Sequence, residues 1–88
     1  MKKHKILEKV LAGSKNVRFD EFVTLLEDFG FELKRTRGSH HVFTHPKIPR
    51  PFPIQPKGKQ AKPYQVRQLL ALVEQYNLEL KNEGEDEA

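Results

Sequence analysis

The 88 residues suffice for one small domain with a thin, two-layer core, and are too few for a large enzyme with a deep internal cavity. Cysteine is absent, which excludes disulfides, zinc–thiolate sites and a cysteine nucleophile. The net charge of +4 hides an asymmetry: residues 33–73 carry nine Lys or Arg side chains and no Asp or Glu.

The start, Met1-Lys2-Lys3-His4-Lys5, is basic, but charges within Ile6-Leu7-Glu8-Lys9-Val10-Leu11 rule out the apolar core of a signal peptide. Ile6, Leu7, Val10 and Leu11 recur at helical spacing, so residues 1–17 read as a short helix and a linker. A folded domain is expected over 18–80. Phe19, Phe22, Val23, Leu26 and Phe29 form the apolar stripe of its first helix, with Asp20 at the N-cap or in the first turn. Gly30 stands where a left-handed cap would end that helix.

Beyond Gly30 the period changes. Phe31-Glu32-Leu33 begins an alternation that predicts a half-buried strand over 31–37, and Gly38-Ser39 predicts a turn. His40-His41-Val42-Phe43-Thr44-His45 reads as the returning strand, closed by Pro46. Five of the six prolines fall within 46–56, so Pro51-Phe52-Pro53-Ile54 is expected to be a short edge strand. Lys57-Gly58-Lys59-Gln60 reads as a loop. Pro63 suits the first turn of a helix whose stripe is Val66, Leu69, Leu70, Val73 and Tyr76. The acidic residues 81–88 read as a disordered tail. The order α, α, β, β, β, α places the chain in the α+β class.

The cations of the acid-free block are Lys34, Arg35, Arg37, Lys47, Arg50, Lys57, Lys59, Lys62 and Arg67. Such a block repels itself unless a polyanion binds it, and RNA is the expected partner. The plainer alternative is a basic surface that serves only solubility. No apolar run approaches the roughly 18–20 residues of a membrane span, and the cations do not share one amphipathic helix, so no membrane is expected. The expected location is the cytoplasm.

Serine nucleophiles need a base and an orienting acid, and glycosidase-type chemistry needs paired carboxylates; the central block offers neither. Strand alternation separates His40 from His41 and His45, and no third ligand accompanies the latter two, so no metal is assigned. What remains is histidine among cations. RNA cleavage at the 2′-hydroxyl needs a base, an acid and positive charge on the phosphorane, all of which imidazole, Lys and Arg supply. Phe43, the bulkiest apolar residue of its strand, is expected to face the helices, which turns His40, Val42 and Thr44 toward solvent. His40 is therefore preferred over His41.

Gly38-Ser39-His40-His41-Val42-Phe43-Thr44-His45-Pro46 resembles the glycine-serine-histidine signature of HicA-type mRNA interferase toxins. The preceding Phe29-Gly30-Phe31 junction and the following Lys62-Pro63-Tyr64-Gln65-Val66-Arg67-Gln68-Leu69-Leu70 helix start are similar to that family's layout. The resemblance implies a double-stranded-RNA-binding-domain-like fold, with a three-stranded antiparallel sheet and helices packed on one face. It also implies a ribonuclease acting on messenger RNA without a metal or cofactor, restrained by a HicB-type antitoxin. The signature histidine carries over to His40, with His41 as the second assignment because the doublet shifts the match by one. Gly38 and Ser39 would shape the turn, and Ser39 would donate to phosphate. Lys34, Arg35, Arg37, Lys57 and Lys59 would grip the RNA backbone. Lys57, Lys59 and Lys62 also resemble the cations before the last helix of double-stranded-RNA-binding domains, so a non-catalytic RNA-binding module is the alternative. Many family members carry a second histidine after the third strand, where this chain reads Ile54-Gln55-Pro56-Lys57.

Overall fold

The computed structural model describes residues 8, 10, 11, 13 and 16–80. Most of the expected N-terminal helix, and the whole of the expected tail at 81–88, lie outside the described residues. Val10 is buried in the core.

Helix α1 spans Phe19–Asp28 and buries Phe22, Leu25 and Leu26. Its N-cap is Arg18, not Asp20: the Arg18 backbone N–H donates to Glu21 Oε1 at 3.0 Å. Asp20 instead pairs with the Arg18 guanidinium at 3.2 Å, and both acids sit at the positive end of the helix. The C-terminus closes as the sequence predicts. Gly30 has φ +98°; its N–H bonds to the Glu27 carbonyl at 3.0 Å and the Phe31 N–H to that of Leu26 at 3.0 Å. These are the two bonds of a Schellman cap.

Strands β1 (Glu32–Arg37), β2 (His40–His45) and β3 (Ile48–Ile54) form an antiparallel sheet in that order. Phe43 pairs with Phe52 across β2 and β3, and both are buried on the face that meets the helices. The Phe22 ring meets that of Phe52 edge-on at 6.5 Å. Together with Ile48 and Ile54 from β3, and Val66 and Leu69 from the last helix, they make one core. The half-buried first strand is corrected, since β1 is exposed along its whole length. Leu33, opposite Phe43, remains 47% exposed because β1 is a sheet edge and the buried sheet residues come from β2 and β3.

The third strand is longer than its prolines suggested, yet it lies on an edge as expected. Pro49, Pro51 and Pro53 occupy alternate, exposed positions. Alternate residues direct their backbone groups to the same side of a strand, so the missing donors of Pro51 and Pro53 fall on the unpaired edge.

The loop expected at Lys57-Gly58-Lys59-Gln60 is corrected to a small hairpin of β4 (Pro56–Lys57) and β5 (Gln60–Ala61). Its order comes from docking on the chain before α1. The Ala61 N–H donates to the Val17 carbonyl at 2.8 Å and the Phe19 N–H to that of Lys59 at 2.9 Å, while Ala61 is buried. Helix α2 (Pro63–Tyr76) begins with proline as expected, buries Val66 and Leu69, and ends at Asn77 in the left-handed region. Among the described residues no helix is long and apolar enough to cross a membrane.

Candidate functional site

Arg37 and His40 face each other across the two-residue turn Gly38-Ser39, and Gly38 supplies a φ of +60° that side chains rarely adopt. Directly paired residues share a sheet face, so Arg37, His40, Arg35 and Val42 all point away from the helices. His40, Arg35, Arg37 and Ser39 are exposed. Lys34 sits at a bulge between Leu33 and Arg35 and pairs with Glu32 at 3.6 Å, outside this group. That exposed pair contributes little to stability.

His41 points the other way and is half-buried. Its ring meets the edge of Phe19 with centroids 5.0 Å apart, and its Nδ1 lies 3.0 Å from the Ser39 carbonyl. A carbonyl only accepts, so Nδ1 carries the proton of this bond and Nε2 is the ring nitrogen left for exchange. The contact with Phe19 brings the β1–β2 turn to the start of α1. There the β4–β5 hairpin is docked, with Lys57 and Lys59 exposed on it and Lys62 half-buried at the N-cap of α2. One end of the molecule thus gathers Arg37, Ser39, His40, His41, Lys57, Lys59 and Lys62, residues spread over 26 positions of sequence from 37 to 62. The block is free of acids in sequence but not in space, because α1 brings Asp20 and Glu21 to the same end, where Arg18 engages both.

His45, at the far end of β2, is held at both ring nitrogens. Nδ1 accepts from the Lys47 N–H at 3.0 Å, which leaves Nε2–H to donate to the Phe29 carbonyl at 2.9 Å. It packs edge-on against Phe31 at 5.0 Å and is buried. It staples β2 to the end of α1. Among the described residues, no three His, Cys, Asp or Glu side chains gather where they could hold a metal ion.

Local sequence patterning does not reveal the open groove between β3 and α2, which Gln55, Tyr64 and Gln68 line and whose border reaches His40 at the first position of β2. The available signal was Tyr64, an aromatic residue that falls off the apolar stripe of its helix and is 49% exposed. Phe19, part of the apolar stripe of α1, also forms the wall behind His41.

A family model described as HicA toxin of bacterial toxin-antitoxin matches residues 19–75, from the first residue of α1 to the last turn of α2. No curated protein and no solved structure gives a significant match. The matched span covers the sheet, the histidine turn and both described helices, and it is more than half of the chain. The chain therefore belongs to the HicA toxin family of bacterial toxin–antitoxin systems.

Proposed function

We propose that this toxin is a metal-independent endoribonuclease acting on messenger RNA, with His40 moving the proton, and that a HicB-type antitoxin silences it. The supporting observation is an exposed histidine directly across a tight turn from Arg37, at the end that also carries Lys57, Lys59 and Lys62. The imidazole of His40 takes the 2′-hydroxyl proton as that oxygen attacks phosphorus. The P–O5′ bond breaks, and the leaving oxygen receives the proton that the His40 imidazolium took from the 2′-hydroxyl. Arg37 and the lysines oppose the charge gathered on the phosphorane. The products are a 2′,3′-cyclic phosphate and a free 5′-hydroxyl.

Incubating the purified chain with single-stranded RNA in EDTA tests this directly. Cyclic-phosphate ends are expected. Intact RNA, bound tightly and in a salt-dependent way, would establish the non-catalytic RNA-binding module instead, a reading favoured by the position of Lys57, Lys59 and Lys62 before α2. An antitoxin that covers this cationic end would compete with RNA for the same charges.

The contribution of the hairpin is measured separately. Changing both Lys57 and Lys59 to alanine is expected to make the slope of log K against log salt shallower by about 1.4 for a single strand, since each phosphate contact contributes roughly 0.7. An unchanged slope would remove the β4–β5 hairpin from the interface.

A further inference from the structure

The groove between β3 and α2 has a volume of ≈ 950 Å³, in the range of sites for small organic groups, and His40 stands on its border. Phe52, Ile54 and Leu72 give it an apolar lining, and the side chains of Gln55 and Gln68 add amide donors and acceptors. Among the described residues no Asp or Glu lines it, and the ionisable groups there besides Tyr64 and Tyr76 are His40 and Arg50. Tyr64 presents an exposed ring that is tethered from within the protein. Buried Gln65 accepts the Gln55 N–H at 3.2 Å and donates from Nε2 to Tyr64 Oη at 3.4 Å.

An anchored aromatic face, neighbouring amides and the nearby His40 and Arg50 suit a flat ring that has donors and acceptors on its edge and a phosphate attached. That is an unpaired nucleobase: bases within a duplex are stacked and closed to such a surface. We propose that this groove is a base subsite, which receives an unpaired nucleobase flanking the phosphate at His40, stacks it on Tyr64 and reads its edge with Gln55 and Gln68. The inference deepens the ribonuclease reading and rests on it for the place of the phosphate. It makes single-stranded RNA the substrate class, and the groove a source of preference for one base beside the cut.

The probe is a short single-stranded RNA with 2′-fluorine on every ribose, which removes the nucleophile and prevents cleavage. It is compared, by fluorescence anisotropy, with a series bearing one abasic position each and with a blunt duplex of equal length. The full chain is used as wild type and as Tyr64→Ala, whose fold is checked by circular dichroism. One abasic position is expected to weaken wild-type binding about 5- to 100-fold, the range of one stacked base. Tyr64→Ala is expected to weaken the intact strand by a similar factor and to bind the abasic strand no more weakly than wild type does. Gln68→Ala is expected to flatten the preference among the four bases at that position. Equal wild-type affinity for the parent and every abasic strand overturns the subsite, as does equal affinity for the duplex. Loss of antitoxin binding in Tyr64→Ala with RNA affinity unchanged also overturns it and assigns the groove to the protein partner. Because the probe cannot be cut, the two readings fail separately. Abasic and Tyr64 effects without any cleavage of ordinary RNA keep the subsite and remove the ribonuclease; cleavage without those effects does the reverse.

Discussion

Replacing His40 with alanine is expected to lower RNA cleavage by about 10²- to 10⁴-fold, the usual contribution of a positioned general acid or base. The same change is expected to leave stability within about 0.5 kcal/mol, because His40 is exposed. Initial rates on a defined RNA, with a thermal melt of both proteins, check the two halves together. His41→Ala belongs in the same experiment. It removes the bond to the Ser39 carbonyl and the contact with Phe19, so it is expected to lower both activity and melting temperature. Full activity in His40→Ala, with none in His41→Ala, would transfer the proton to His41. Equal activity in all three proteins would remove histidine from the mechanism.

The largest effect on stability is expected at Gly30. Two costs coincide in Gly30→Ala. The φ of +98° is a region L side chains rarely adopt, worth on the order of 1–3 kcal/mol. A Cβ at this position would also lie 3.0 Å from Nε2 of His45, so the imidazole must give by a few tenths of an ångström, which strains its bond to the Phe29 carbonyl. The net worth of such a bond, roughly 0.5–1.5 kcal/mol, is the upper limit of this second cost. The sum is about 1–4.5 kcal/mol, a sizeable part of the roughly 5–15 kcal/mol that stabilises a typical domain. The melting temperature is expected to fall by at least about 4 °C, at roughly 4–8 °C per kcal/mol for a domain of this size. A fall of under about 4 °C would show that neither the backbone angle nor the staple constrains the fold.

Much of the architecture was legible because the local signals agreed with one another. The stripe from Phe19 to Phe29, the glycine after it and the β-branched run around Phe43 each specify one element, and each element formed. The orientation of β2 followed from Phe43 alone, since a half-buried strand must bury its largest apolar residue and thereby exposes the alternate positions. What was not legible depended on partners distant in sequence. Leu33 alternates like a buried strand residue but lies on an edge without cover. Residues 57–60 carry loop composition, and they pair only because the chain around Val17 and Phe19 offers hydrogen-bond partners.

The candidate site divides in the same way. Arg37, Ser39 and His40 adjoin one turn, so their proximity is written in the sequence. The approach of the β4–β5 hairpin, of Phe19 and of the groove beside Tyr64 depends on how α1 and α2 lie against the sheet, which no local pattern encodes. The acids tell the same story: distant from the block along the chain, Asp20 and Glu21 return to it in space, already engaged by Arg18.

The two borders of the sheet carry a consequence for the toxin once it is free of its partner. One border, β3, has pyrrolidine rings where a neighbouring chain would seek backbone donors; the other, β1, holds Lys34, Arg35 and Arg37 along an exposed strand with a bulge. Both are poor templates for edge-to-edge strand pairing, so neither border of the sheet invites another chain to extend it into a fibril.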